Sequence, residues 1–191
     1  MKTERSLSKP PYRRQDHRWL IELRLSQPRQ LFNTIDPSPF HEKDLDDAAE
    51  RYIVEAVEDF HRDEQLQLVI HLPAEYVNDD NSRQLQDAIS NYFGWRAHES
   101  RRRLLHCLRE GRWAALLGLA FLVFCLLARS AANHYLDGFL EHVLDEGLLI
   151  IGWVALWRPI EIFLYDWWPL RRELLIHRRI EQLPVSLQAS H

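Results

Sequence analysis

The chain has 191 residues, of which 46% are hydrophobic and 27% are charged, and its formal net charge is -4. This length allows one or two domains, and a mean hydropathy of -0.37 is typical of a soluble protein. Residues 36–88 hold fifteen acidic residues against four basic ones. This excess argues against nucleic-acid binding, since a nucleic-acid module needs a basic face.

Residues 1–18 form a basic segment that contains Pro10 and Pro11 and has no apolar run after it. A secretory signal peptide needs such a run, so we predict a disordered cytosolic arm. The arm either touches anionic lipid, where each base contributes about 1 kcal/mol, or is a plain solvated tail.

Residues 19–94 carry the periodicity of a small folded domain. Residues 19–25 and 65–72 alternate apolar and polar side chains, which predicts two half-buried strands. Residues 44–60 have a helical stripe, with Asp44 as the expected N-cap. A second short helix is predicted over residues 82–93, with Gly94 at its C-terminal end.

This order predicts a two-layer β-α-β-α cytosolic domain. Two strands in isolation are marginally stable, and three or more are normally needed. We therefore expect the missing strands to come from another copy or another protein, most simply in a homo-oligomer.

Residues 95–112 are predicted as a connector helix that continues into a first transmembrane helix over residues 113–132. The apolar core of that span, residues 113–128, is about 24 Å long as a helix, which is short for a hydrocarbon core of about 30 Å. Flanking arginines that reach to the interface compensate for the shortfall. A buried soluble helix is the alternative.

A second apolar stretch covers residues 147–157, and charge differs on the two sides of the pair. Basic residues crowd the outer flanks, whereas the connector at residues 133–146 is acidic. Lys and Arg mark the cytoplasmic side. The pattern predicts a helical transmembrane hairpin in a cytoplasmic membrane, with both termini in the cytoplasm.

The second transmembrane helix is predicted over residues 147–168. This extension places Arg158 and Glu161 inside the bilayer as an i, i+3 pair, with Asp166 near the interface. It also predicts an aromatic interface belt of Trp113, Tyr165, Trp167 and Trp168. The rival interpretation ends the span at residue 157 and lays the following residues along the interface.

Residues 169–191 are predicted as a basic cytosolic helix, on the inner leaflet or against the connector, followed by an unstructured tail. Cys107 and Cys125 lie 18 residues apart. On one helix they are about 27 Å apart, too far for a disulfide.

Candidate chemistry is sparse. The set Arg158, Glu161 and Asp166 either lines a path for ions or forms a structural contact, and we favour the contact. Two looser groups suggest a divalent metal, although neither has a recognised ligand spacing. They are His134, Asp137, Glu141 and Asp145 in the acidic connector, and residues 41–47, HEKDLDD. No phosphate-binding glycine loop or nucleophile motif is present.

Two segments, LFNTIDPSPFHEKDLDDAAERYIVEA at residues 31–56 and GLLIIGWVALWRPIEIFLYDWWPLRRE at residues 147–173, resemble a family of small uncharacterised bacterial membrane proteins. The resemblance implies a bacterial inner-membrane protein with a cytosolic N-terminal domain and two C-terminal transmembrane helices. It implies no activity. The DPSPF turn at residues 36–40 is its most distinctive element.

The sequence thus favours an α+β membrane protein without enzymatic activity or cofactor. Its expected partners are the lipid bilayer and a second copy or another protein, not nucleic acid. We expect an anchor, adaptor or scaffold. The alternatives are an oligomeric channel or transporter-like element using Arg158 and Glu161, and a membrane-anchored metalloenzyme.

Overall fold

The structure, a computed structural model, describes residues 12–33, 44–135 and 139–190, and within these it describes no side chains of residues 132–145. The described chain is mixed α+β, with a four-stranded sheet and mostly helical content. It divides into two compact units. The first is Met1–His98 with Leu174–His191, and the second is Glu99–Glu173.

The sheet of the first unit has the strand order β1-β2-β3-β4. The strands are β1 at Arg14–Gln15, β2 at Arg18–Arg24, β3 at Leu66–Leu72 and β4 at Val185–Ala189. β1 runs antiparallel to β2, whereas β3 is parallel to both β2 and β4. Asp16 and His17 have φ angles of 48° and 65°, as a tight two-residue hairpin turn requires. β2 and β3 confirm the two predicted strands.

The prediction that the C-terminal tail is unstructured is wrong. The tail forms β4, and its ends bond to β3 through Leu68 N–H to Pro184 O at 3.0 Å and Ser190 N–H to Leu72 O at 2.8 Å. Five residues with mixed polarity carry almost no strand signal, so the order of the tail comes from its neighbour β3. The premise that the sheet lacks strands of its own is therefore also wrong.

The predicted disordered arm is partly ordered. Residues 1–11 lie outside the described residues, but β1 falls within the predicted arm. Tyr12 packs on Phe60 with 4.8 Å between ring centroids, and Trp19 packs on the same ring at 5.6 Å. The basic composition of the arm concealed this aromatic anchor.

Helix α1, Asp47–Glu58, connects β2 to β3 and confirms the helix predicted over residues 44–60. Its N-cap is Asp46 rather than Asp44, because the Asp46 carboxylate accepts hydrogen bonds from the N–H groups of Ala48 and Ala49. The predicted stripe supplies Ile53, Ala56, Val57 and Phe60 to the core, where they meet the buried side chains of β3. Two short 3-10 helices lie at Pro28–Leu31 and Ala74–Tyr76.

Before α1, residues 31–33 pair with residues 44–46. Phe32 and Leu45 form an isolated antiparallel bridge, Asn33 N–H donates to Asp44 O at 2.8 Å, and Asp46 N–H donates to Leu31 O at 3.0 Å. The DPSPF turn lies between these flanks, outside the described residues.

Helix α2, Asp79–Tyr135, is a single helix of 57 residues. It confirms the continuity predicted between the connector and the first apolar span, and it also includes the predicted short helix. Gly94 does not end that helix. A Cβ at this position would lie 3.2 Å from Glu181 Oε1. The lack of a side chain at Gly94 therefore leaves room for the Glu181 side chain. No proline interrupts the segment, and the helix therefore continues through Gly94.

The remaining helices are α3 at Phe139–Val154, α4 at Trp157–Glu161, a π-helical turn at Ile162–Asp166, and α5 at Trp167–Glu181. Pro159 explains the break after α3. It has no N–H for the carbonyl of Ala155 four residues earlier, and its ring displaces that carbonyl. The end of α5 then packs into the first unit, where Ile180 is fully buried.

Candidate functional site

The second unit contains a seam of small residues on α2. Gly111, Gly118 and Cys125 recur at every seventh position and are buried, whereas most positions around them are exposed. A Cβ at Gly111 would lie 2.8 Å from Ile162 Cγ2, and one at Gly118 would lie 2.7 Å from the backbone oxygen of Ala155. Small residues of this kind allow two helix backbones to approach closely.

The contacts along the seam fix how the two segments align. Seven residues forward on α2, from Gly111 to Gly118, correspond to seven residues backward on the other segment, from Ile162 to Ala155. Farther along, a Cβ at Gly152 would lie 3.3 Å from Cys125 Cβ. The two segments therefore run antiparallel. In this register, residue 113 is level with roughly residue 160, and residue 128 with roughly residue 145.

The outer surface of the same unit is apolar along the two apolar stretches. Within the described part of the chain, two helices are long and apolar enough to cross a membrane, Asp79–Ala131 and Glu146–Glu181, with mean hydropathies of 2.1 and 1.7 in their most apolar windows. Only 11% and 17% of those windows are buried. Several large side chains are more than half exposed: Trp113, Leu116, Leu117, Leu119, Phe124, Leu127, Ile150, Ile151, Trp153, Val154, Trp157 and Leu164.

This distribution differs from that of a soluble core helix, whose apolar side chains would be buried. Monomeric soluble proteins rarely expose contiguous apolar patches larger than a few hundred Å². Small residues close the seam on the inside, and Ile162 is the only large apolar side chain that is buried among the described residues of this unit.

Arg158 lies at the centre of an ionic cluster. Its guanidinium donates to Glu161 Oε2 at 3.1 Å and lies 3.2 Å from Asp166 Oδ2. A third carboxylate, that of Glu110 on α2, lies 3.8 Å from the same guanidinium. The structure thus brings together the three residues singled out in the sequence and adds a fourth that sequence reasoning missed.

Glu110 carried only a weak signal. It is a lone acid among the arginines that precede the first apolar stretch, and only the seam register places it beside Arg158. The contact between Glu110 and Arg158 also shows where Arg158 lies along α2. The cluster lies beside the last polar turn of α2 before Trp113, not beside the middle of the apolar stretch.

The predicted belt residues occupy two levels. Trp113 is 62% exposed and begins the apolar part of α2. Tyr165 and Trp168 are also exposed but lie farther along, beside the polar part of α2 in the seam register. Trp167 is half-buried, donates its indole N–H to Phe163 O at 2.7 Å, and has Arg171 over its ring at 5.7 Å.

An open groove of ≈ 470 Å³ follows one polar face of α2 and is lined by Glu99, Arg102, Arg103, His106, Cys107 and Glu110. Arg103 pairs with Glu99 at 2.5 Å and lies 4.0 Å from Glu173. Burial, followed by the carboxylates of Asp166 and Glu110, raises the pKa of the Cys107 thiol. Cys107 is therefore protonated at neutral pH and is a poor nucleophile.

Within the first unit, charged groups stabilise the fold. Glu50 of α1 accepts hydrogen bonds from Tyr92 Oη at 2.8 Å and Arg96 Nε at 2.7 Å. Burial and the Glu50 hydrogen bond raise the pKa of Tyr92. Arg179 donates to the carbonyls of Phe60, His61 and Glu64, and burial lowers its pKa. The Glu50 contacts join α1 to α2, and the Arg179 contacts hold the turn between α1 and β3.

Among the described residues, no group of three or more His, Cys, Asp or Glu side chains is placed to hold a metal ion. The connector set of His134, Asp137, Glu141 and Asp145 lies outside the described side chains. The group at residues 41–47 lies partly outside them, and its Asp46 serves as the N-cap of α1.

Comparison with protein-family models, curated proteins and solved structures finds no significant match to this chain.

Proposed function

We propose that the chain is a two-span protein of the bacterial inner membrane that anchors a two-layer cytosolic α/β domain. In this proposal it acts as an oligomeric adaptor or scaffold and not as an enzyme. The observation that carries the proposal is the inverted polarity of the second unit, in which small residues are buried along the seam and large apolar side chains are exposed. A lipid bilayer provides the solvent that such a surface requires.

The antiparallel seam supports a transmembrane hairpin. Its register places the first apolar stretch, residues 113–128, level with roughly residues 145–160, which include the second apolar stretch, residues 147–157. Arginines flank the outer ends of these stretches, whereas the connector is acidic. The positive-inside rule then places both termini in the cytoplasm.

This alignment changes the proposed limits of the second span. Arg158 and Glu161 fall at the cytoplasmic boundary, where the guanidinium can reach towards Glu110 and water, as long cationic side chains commonly do. A charge at the bilayer centre would cost about 2.5–3.5 kcal/mol on insertion scales. The seam register therefore favours a cluster that joins the two helices at the inner interface.

Cysteine labelling tests the topology in a background in which Cys107 and Cys125 are replaced by Ser and Ala. We expect a membrane-impermeant maleimide to label Asn133→Cys in intact bacterial cells whose outer membrane has been permeabilised. It should label Ser8→Cys only after the inner membrane is opened. The reverse labelling pattern would contradict the proposed orientation. Recovery of the protein in the soluble fraction would contradict membrane insertion itself.

A second candidate is an oligomeric channel or transporter-like element. The observation in its favour is that the side chains of Arg158, Glu161 and Glu110 remain about half exposed, and so accessible to another protomer. Ion flux into proteoliposomes that falls on Glu161→Gln would support it, and absence of flux from the wild-type protein would remove it. No described cluster favours the metalloenzyme alternative.

A further inference from the structure

The outer edge of β4 has unpaired backbone groups. β4 uses alternate residues for the ladder with β3, as the bonds of Pro184 O and Ser190 N–H show. The N–H and C=O groups of Val185, Leu187 and Ala189 therefore point away from β3. Val185 N–H bonds to Gln86 Oε1 at 2.7 Å. Leu187 and Ala189 have no outward hydrogen-bond partner among the described residues.

Edge strands of stable monomers are normally protected by charges, prolines or bulges. The edge at β1 has such protection, because β1 is short, is flanked by arginines and ends in a tight turn. Tyr52 Oη also donates to Glu22 O of β2 at 3.0 Å. By contrast, residues 182–190 contain no charged residue at all, in a chain that is 27% charged.

The edge of β4 is also complementary to itself. Suppose that two copies of β4 pair antiparallel around Leu187. Each Leu187 then exchanges both backbone hydrogen bonds with Leu187 of the second copy, and Ala189 N–H meets Val185 C=O. Val185 N–H remains with Gln86. Such a contact has two-fold symmetry and closes on itself.

The side chains match in the same register. Val185 and Leu187 pack against the core of the first unit, so the pairing would place apolar groups of both copies side by side. On the other face, Ser186 of one copy would stand opposite Gln188 of the other. Like charges directly opposite each other destabilise strand pairing, and this register brings none together.

We propose that β4 is the docking edge for β4 of a second copy, which joins the two four-stranded sheets into one continuous sheet. This inference rests on the proposed oligomeric scaffold and names its interface. An unrelated extended peptide would use the same backbone groups but would not require the two-fold symmetry of the pairing.

Native mass spectrometry of the full chain in detergent tests the interface. Leu187→Pro removes the outward N–H without removing a bond to β3, and edge strands tolerate proline in this orientation. Leu187→Ala is the matched control, because it removes the same side chain and keeps the donor. We expect dimers for the wild type and for Leu187→Ala, and monomers for Leu187→Pro.

Amide hydrogen exchange of the wild-type protein gives a readout that does not depend on a variant. If the edge is paired, the amides of Leu187 and Ala189 should exchange about as slowly as those of Ser186 and Gln188. Fast exchange of Leu187 beside a protected Ser186 would overturn the inference. A dimer that persists in Leu187→Pro would overturn it too, but would leave the oligomeric scaffold intact, whereas a monomeric wild type would overturn both.

Discussion

At the residue scale, glycines decide where segments of this protein come close together. Gly111, Gly118 and Gly152 each face an atom that a Cβ would contact at 2.8 Å or less. At Gly147, no atom of the other described residues beyond its own helix backbone lies within 4 Å of the corresponding position. Within one unit, some glycines are therefore required for a close approach and another is not. The sequence alone does not distinguish the two kinds of position.

Gly118→Ala and Gly147→Ala form a matched pair that tests the seam. At Gly118, the added methyl group would collide with the backbone oxygen of Ala155, and overpacking of this kind costs about 1–3 kcal/mol. At Gly147, alanine should stabilise the helix by up to about 1 kcal/mol. Thermal unfolding in detergent, followed by circular dichroism, should show a lower midpoint only for Gly118→Ala. Equal midpoints for the two variants would contradict the close approach.

Tyr12 provides a pH-dependent test of the N-terminal anchor. Burial, and then the nearby Asp59 carboxylate, raise its pKa from 10.0 to about 12. Because the folded state favours the neutral phenol, its contribution to stability is complete below pH 10 and is lost as the pH rises through about 12. In a spectrophotometric titration, the difference between the wild type and Tyr12→Phe should titrate near pH 12. A difference that titrates near pH 10 would mean that Tyr12 is not packed on Phe60.

At the scale of elements, the sheet is completed by a strand from the opposite end of the chain. β3 lies between β2 and β4, so both of its edges are paired. Its residues Leu68, Val69 and Ile70 are almost completely buried. The register of β4 is supported by a side-chain bond, from Gln67 Nε2 to Ser186 Oγ at 3.0 Å. Gln86 reinforces the start of β4 by donating to Leu183 O and accepting from Val185 N–H.

Truncation tests the importance of β4. Removal of residues 184–191 would expose the edge of β3 and one side of the core, and small domains have little stability in reserve. We expect the first unit to lose its cooperative unfolding transition and its resistance to limited proteolysis. Removal of residue 191 alone is the control and should change neither. If the longer truncation kept the transition, β4 would be a dispensable addition to the sheet.

At the scale of the whole molecule, the two units have opposite distributions of apolar side chains. The first unit buries its apolar residues in one core, whereas the second unit exposes them. Their average gives a mean hydropathy of -0.37, which describes neither unit. The helix α2 contributes to both, since its beginning supplies Leu85 and Ile89 to the core and its later part carries the apolar stretch.

A charge placed on the exposed apolar surface tests membrane insertion. Leu119 is 54% exposed and lies near the middle of the first proposed span, whereas Leu105 is 50% exposed and precedes the span. Lysine near the bilayer centre costs about 2.5–3.5 kcal/mol. Leu119→Lys should therefore reduce the fraction of protein that resists carbonate extraction from membranes, whereas Leu105→Lys should not. The same loss in both variants would contradict the proposed position of the span.

The sequence by itself determined the two central strands, the α1 helix and the two apolar stretches, because periodic burial and long apolar runs leave local patterns. It also singled out Arg158, Glu161 and Asp166. Only the tertiary structure decided the pairing of β4, the addition of Glu110 to the ionic cluster and the continuation of α2 through Gly94. These features depend on contacts between residues far apart in the chain, and a short strand, a lone acid or a glycine carries no local record of its distant partner.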